Sequence, residues 1–569
     1  MPSHPVIFLL PAALLLMPVA GEAEVRISGL NDEMTETVSS FLSLSGQPCE
    51  LNPWMLRYQF RRIRAEATQA LESWGYYKPE IDTELEQTPE CWTATITISP
   101  GPPVIIDETN LQWLPPGFDF SLVDRGQVAA GQRLDHEAWE AFKSRIESIA
   151  LEKGYFDATF ATHEIRIDRD AMTADVDLVM QGGTRYQFGE VHYVGGELSE
   201  QFLDRYLTFR PGDPYEAAQL GSLYQALMLS DYFTDVSVDA DVDNRVDGKV
   251  PVNVYLEPVD PDQTRAGIGY STDTGARASL SYKNRRLNQQ GHRTEASLAI
   301  AEHEQEIGGF YRIPNEISAT GWTSFYGGVK KTDTDTSRQT STTIGIRQLV
   351  PVHEHWIMTR FIEAIHDDFT VASVRQTSRN YVPGISLDWN PYKTVRRPVR
   401  GFRLVLGASG TSGSIGSDTD FVNFNVAAKV IMPLWDRSRI ILRGKTGLVL
   451  SDNFDELPPG NRYFTGGDDK VRGFDFEALG PRDATGKVIG GNRLLEASIE
   501  IDHMLNEQWG IALFTDGGSA SLGSFDRNLT TSIGLGVRWY SPIGPVRVDL
   551  ARPTSDNNIR LHINLGPDL

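Results

Sequence analysis

The chain has 569 residues, a formal net charge of −23 and a mean hydropathy of −0.30. That length exceeds one ordinary domain and suggests roughly three to five units. The acid surplus argues against nucleic acid as a partner, because that binding rests on Lys and Arg neutralising phosphates.

An apolar run of 15 residues, 6–20, opens the chain. It is short of the ~20 residues of a spanning helix. Gly21 and Ala23 follow and suit cleavage after Ala23. Residues 1–23 read as a secretory signal peptide, although no Lys or Arg precedes the run. No later stretch approaches the ~18 apolar residues of a spanning helix. A mature chain that crosses a membrane must therefore do so as a closed barrel, since lipid satisfies no backbone polar group. Strand alternation keeps the mean hydropathy of such a barrel low. The charge is uneven: residues 24–262 hold 42 acids and 18 bases, and residues 263–569 hold 33 acids and 35 bases. This implies two bodies in two settings, the first a solvated acidic arm. The only two cysteines, Cys49 and Cys91, read as one disulfide in an exported chain, with two buried thiols the alternative.

Three landmarks recur along the arm. Gly75-Tyr76-Tyr77, Gly154-Tyr155-Phe156 and Asp231-Tyr232-Phe233 are 79 and 77 residues apart. Gly46, Gly131 and Gly212, spaced by 85 and 81, each precede a segment of near-helical apolar spacing, such as Trp139, Phe142, Ile146 and Ile149. An alternating strand follows the aromatic pair, as in 92–98 and 250–256. Each unit reads strand, helix, helix, aromatic turn, strand, strand, and the period indicates an array of like modules. The edge of such a sheet can pair with an extended peptide. The stretch from Phe209 to Tyr215 (FRPGDPY) and the 231–233 turn resemble the POTRA module. The second copy departs at its start, where VIIDETNLQW lacks the V-x-x-x-G of Val25–Gly29 and Val191–Gly195. Three POTRA modules are expected, at 24–102, 103–186 and 187–260. The acidic run 239–247 has Asn244 where a calcium loop needs Gly, so it reads as a strand end and turn.

From 261 to 569 the texture becomes alternating segments punctuated by Gly, Asp, Asn and Pro. Sixteen start near 264, 276, 293, 304, 320, 338, 355, 379, 401, 420, 437, 493, 508, 529, 545 and 558. An even number suits a bacterial single-chain transmembrane β-barrel, antiparallel throughout. One connection, about 451–492, is far longer than the others, as functional loops often are. Within it Gly466 and Gly467 precede Val471-Arg472-Gly473-Phe474. An Arg between apolar residues implies a guanidinium packed on a surface, and a buried Arg needs an acid. Period-2 counting places Phe514, Asp516 and Gly518 on the face opposite Ile511 and Leu513, the lumen face.

GGDDKVRGF, FTDGG and the closing strand resemble the BamA/TamA superfamily of outer-membrane insertases and secretion pores. The resemblance implies that the loop tip folds into the lumen and that Arg472 meets Asp516, with Gly473, Phe474, Phe514 and Gly518 around them. It also implies a bacterial outer-membrane location with the modules in the periplasm. Three modules resemble the TamA branch, whereas BamA usually has five and two-partner secretion pores have two. That branch implies an inner-membrane-anchored TamB-like partner, client outer-membrane proteins and contact with outer-membrane lipid, with no cofactor and no metal. The implied role is to help insert, fold or translocate β-barrel and autotransporter proteins. A two-partner-type secretion pore, or lipid transport with the same partner, is the alternative. The first strand carries Gly267 and Gly269, and glycine weakens pairing. The last is short and carries Ile559, Leu561, Ile563, Leu565 and Gly566, so the seam between these strands is expected to be the weakest. No G-x-S-x-G, H-E-x-x-H or P-loop is present, so no enzyme is expected.

Overall fold

The computed structural model describes residues 23–89, 91–315, 320–353, 355–391, 397–541 and 544–565. Residues 1–22 of the signal-peptide reading at 1–23, and Gly566, lie outside these residues. No described helix is long and apolar enough to cross a membrane.

The first module runs Glu24–Ser28, helix Asp32–Phe41, helix Pro53–Ser73, Glu80–Gln87 and Trp92–Ser99. Asn31 and Asn52 cap the helices, accepting from the backbone N–H of Met34 and Trp54 at 2.8 and 2.9 Å. Trp92–Ser99 is central, parallel to the first strand and antiparallel to Glu80–Gln87. Its inward residues Trp92, Ala94, Ile96 and Ile98 are buried against both helices. Glu80–Gln87 is an edge strand. Its solvent side carries Glu80, Asp82, Glu84 and Glu86, which blunts pairing with stray chains. Cys49 and Cys91 form a disulfide.

The second and third modules keep the three-stranded sheet but depart from the two-helix pattern. In the second, strand Ile105–Leu114 leads into Pro115, Pro116 and Gly117, and only two short 3-10 turns, Phe120–Leu122 and Gly126–Val128, stand where a first helix was expected. Two adjacent prolines remove backbone donors that a helix would use. Helix His136–Glu152 is capped by Asp135, and Trp139, Phe142, Ile146 and Ile149 are buried. In the third, the first helix shrinks to Glu200–Leu203 plus one 3-10 turn, before helix Ala217–Met228. The sheet strands are Thr159–Asp168 and Thr173–Gln181 beside Ile105–Leu114, then Phe233–Ala240 and Lys249–Pro258 beside Gln187–Gly195. Residues 241–248 form a turn.

The aromatic-turn landmark has a structural cause. Gly75 and Gly154 both adopt φ +83°, and Asp231 adopts φ +64°. The turn exposes a carbonyl that receives the start of the following segment: Val104 N–H donates to Gly75 O at 2.8 Å, and Tyr186 N–H to Gly154 O at 2.9 Å. Asp is among the few non-glycine residues that tolerate this region. At 231 it adds a carboxylate that pairs with Lys283 Nζ at 2.6 Å and Arg285 Nε at 3.1 Å.

The C-terminal part is a closed barrel of sixteen antiparallel strands in chain order. Strand 1 is Asp262–Ser271, strand 2 is Gly275–Asn284, strand 11 is Ser438–Leu450, strand 12 is Arg493–Met504, strand 13 is Trp509–Ser521, strand 14 is Thr530–Ser541, strand 15 is Gly544–Pro553 and strand 16 is Arg560–Leu565. The largest departure from the expected starts is the eighth strand, which begins at Val374 rather than near 379. Ile559 precedes the last strand by one residue and is exposed. Outward residues are apolar and bare: Ile268, Ile344, Ile362 and Leu535 are 62–95% exposed. A contiguous apolar band of this kind on a closed cylinder fits lipid, not water.

Candidate functional site

The 451–492 connection joins strands 11 and 12 and lies in the lumen. Its first part packs Leu457, Phe454 and Tyr463 against the inward residues Ile365, Val382, Phe421 and Val449, burying Leu457 and Val449 completely. Arg462 stiffens this segment by donating to the carbonyls of Leu457, Ile489 and Asp455 at 2.8–3.0 Å. Gly466, Gly467 and Gly473 all take positive φ, between +95° and +112°. At Gly467 a Cβ would come within 2.5 Å of the Asp273 carboxylate, so glycine is needed for approach as well as for φ.

The tip delivers Arg472 to the wall. Its guanidinium forks onto Asp516, Nε to Oδ2 at 2.7 Å and Nη2 to Oδ1 at 3.0 Å, and its backbone N–H reaches the same carboxylate at 3.2 Å. Nη1 reaches Glu500 at 2.9 Å and Asp549 at 3.0 Å. The face of the guanidinium lies 3.3 Å from the centroid of the Phe514 ring. Ser498 Oγ donates to Asp516 at 2.7 Å. Arg538 bridges Glu500, at 3.0 Å, and Asp549, and Arg443 reaches Glu500 at 3.4 Å. Three guanidiniums thus face three carboxylates, which is the balance a buried ion cluster requires. Burial opposes the Arg472 charge, but Asp516, Glu500 and Asp549 outweigh it and push its pKa up. Val471 is fully buried, and a Cβ on Gly518 would come within 2.6 Å of its side chain. The loop therefore touches strand 13 where that strand lacks a side chain. Phe474 is half-buried.

Arg472, Asp516, Phe514 and Gly518, expected together from their motifs, meet in space. Glu500, Arg538, Asp549 and Arg443 were missed as partners. They share lumen parity with many other charged residues, and only strand stagger sets them at one height. Asp468 and His562 were missed as well. Asp468 Oδ1 meets His562 Nδ1 at 2.5 Å, and His562 Nε2 accepts from Gly473 N–H at 2.7 Å.

At the seam, Gly267 and Gly269 lie in strand 1, and Leu561, Ile563 and Leu565 lie in strand 16. Strand 1 aligns with strand 2 along its whole length, Asp262↔Asn284 through Ser271↔Gly275. With strand 16 it aligns, among the described residues, at Ser271↔Asn564 alone. Thr272 N–H donates to Ile563 O at 3.1 Å, Ile563 N–H to Thr272 Oγ1 at 2.6 Å, and Arg277 Nη2 to Leu565 O at 2.8 Å.

A closed sixteen-strand barrel with a lumen-bound arginine tip, preceded by three small α+β modules, defines an outer-membrane β-barrel protein with a modular arm. Residues 260–567 match the Omp85 superfamily domain, more than half of the chain. The chain belongs to the Omp85 superfamily. Residues 24–100 match the POTRA domain described as TamA domain 1, and residues 186–258 match the surface antigen variable number repeat, a POTRA model. The chain is 24% identical over 490 residues to the outer membrane protein assembly factor BamA of Nitratidesulfovibrio vulgaris, covering 79% of this chain and 61% of that one. It is 22% identical over 469 residues to BamA of Neisseria meningitidis, covering 70% and 58%. The chain thus spans about three-fifths of the length of these curated relatives. Its fold is similar to that of BamA from Haemophilus ducreyi lacking POTRA domains 1–3, with a TM-score of 0.67, 15% identity, and coverage of 81% of this chain and 99% of that one.

Proposed function

We propose that this chain is a TamA-type assembly factor that helps insert, fold or translocate β-barrel and autotransporter proteins at the bacterial outer membrane. Its modules reach into the periplasm and engage an inner-membrane-anchored TamB-like partner. The observation that carries the reading is the seam, where among the described residues strands 1 and 16 align at one pair, Ser271↔Asn564. An unpaired backbone group in lipid costs several kcal/mol, so a parted seam is a strong acceptor for a client strand added edge to edge. Such templating needs no nucleotide. The match of residues 24–100 to the POTRA domain described as TamA domain 1 supports the TamA branch. The packed loop weighs against a passive open pore.

The reading is tested by a disulfide engineered between strands 1 and 16 in the full chain, reconstituted in liposomes. Oxidation should abolish insertion of an unfolded client β-barrel, while the chain without the added cysteines stays active under the same oxidant. Insertion that persists through a fully formed lock ends the gate reading.

A further inference from the structure

The backbone joins strands 1 and 16 at a single described pair, yet side chains bridge them through the lumen loop. Asp468 of the loop accepts at Oδ2 from Ser271 Oγ at 3.0 Å and from Asp273 N–H at 3.3 Å. Its own N–H donates to Asp273 Oδ2 at 2.7 Å. Ser271 ends strand 1 and Asp273 lies in the turn after it. The other carboxylate oxygen of Asp468 faces His562 Nδ1 on strand 16. Since His562 Nε2 accepts from Gly473 N–H, the ring proton sits on Nδ1 and is donated to Asp468. The Asp468 and His562 side chains are 4% and 7% exposed. Charge-assisted hydrogen bonds at that burial are strong, and losing either partner strands the other.

We propose that Asp468 and His562 are a latch through which the loop tip holds the seam shut. Asp468 grips strand 1, His562 presents strand 16, and Gly473 fixes the imidazole from behind. Four residues along from Asp468, Arg472 anchors the same tip on strands 12, 13 and 15 through Glu500, Asp516 and Asp549. The loop thereby clamps strand 1 onto the C-terminal wall. Seam opening then requires the tip to withdraw, and Arg472, which has no bond to strand 1 or strand 16 side chains, controls the seam at a distance. The proposal deepens the gate reading and rests on it for its biological meaning, but its geometry stands by itself.

The test uses the full chain in liposomes with Tyr270→Cys and Leu565→Cys, one step along the register from Ser271↔Asn564. The rate of disulfide formation reports closure, and heat-modifiable migration in cold SDS gels reports folding. Asp468→Ala, His562→Ala and Arg472→Ala should each slow crosslinking at least tenfold. Arg375→Ala, in the eighth strand and paired with Asp368, should leave the rate unchanged. Ser271→Ala removes one latch bond and should slow it by a smaller factor, which keeps the test decisive where a larger change prevents folding. Folded Asp468→Ala and His562→Ala chains that crosslink at the parent rate overturn the latch. If the rates change as expected in a chain that inserts no client, the latch stands and the gate reading falls.

Discussion

Arg472 is 3% exposed, and its charge is tolerable only because three carboxylates meet it. Removing one partner of a buried cluster typically costs about 3–5 kcal/mol, because the opposite charges remain without compensation. Arg472→Ala should therefore release the tip and expose 451–492 to protease while the barrel stays in the membrane. The urea midpoint of the folded band should fall. Arg472→Lys restores the charge but not the planar fork onto Asp516, so it should recover only part of the loss. A second residue gives a pH signature. Burial, and then the Asp468 charge, push the Asp273 carboxyl up to about 7. A carboxyl whose folded pKa lies above its unfolded value favours the folded state fully below the unfolded value, and that advantage is lost as pH rises through 7. Asp273→Asn mimics the protonated form. It should raise the thermal midpoint of the folded band at pH 8 and change it little at pH 4, and an unchanged midpoint at pH 8 would contradict this. The arginine and its acid were legible because an Arg set between Val471 and Phe474 has to lie against a surface and find a carboxylate there, and Asp516 sits beside glycines on the inward parity. Glu500, Arg538, Asp549 and His562 were not legible. Alternation tells which face a side chain takes, but the stagger of sixteen strands decides which inward charges share a height.

At the scale of elements, strands were easier to place than helices. Lipid outside and a filled lumen inside impose a strict period of two, and the breaks fall at Gly, Asp and Asn. The arm is less regular. The first module has both helices, but the prolines at 115 and 116 leave the second with one, and in the third the first helix is a single turn of four residues. Repeat spacing carried the sheet and the aromatic turns, since each turn hands a carbonyl to the next segment. It did not carry the helix lengths, which depend on local prolines. The disulfide belongs to this scale. It ties the connection between the two helices of the first module to the start of its central strand, closing 42 residues. Cross-links of that span stabilise by about 2–4 kcal/mol. Replacing Cys49 and Cys91 by Ala should lower the stability of the first module by that amount, read as the urea dependence of protease cutting at the exposed Arg57 and Arg61. The folded band of the barrel should not change. Equal cutting with and without the cross-link would mean that the core of Ile63, Leu71 and Ile96 suffices alone.

The orientation of the whole barrel in its membrane follows from where its tryptophans fall. All six, Trp322, Trp356, Trp389, Trp435, Trp509 and Trp539, lie at the rim where strand 1 begins. Four form cross-strand pairs of outward parity: Trp356↔Trp389 with ring centroids 6.2 Å apart, and Trp509↔Trp539 stacked at 5.5 Å. Tryptophan favours the boundary between headgroups and acyl chains, where its ring is half in each medium. The opposite rim holds the 451–492 loop and the Ser271–Asp273 end of the seam, and no barrel tryptophan. One rim is thus anchored at the interface, whereas the other is closed by the loop. The described bonds between strands 1 and 16, at Ser271↔Asn564 and those joining Thr272 to Ile563, lie toward the tryptophan-free rim beside the latch, so release of the latch there frees the end of the seam that is bonded. Lipids brominated near the headgroup should quench barrel fluorescence more than lipids brominated at the chain ends, in a chain whose five arm tryptophans are replaced by Phe. Trp509→Phe combined with Trp539→Phe should reduce the rate at which the unfolded chain inserts into liposomes, by a few-fold, without moving the crosslinking rate of the latched seam. Quenching that is equal at both depths would place these rings in the hydrocarbon and remove the anchor.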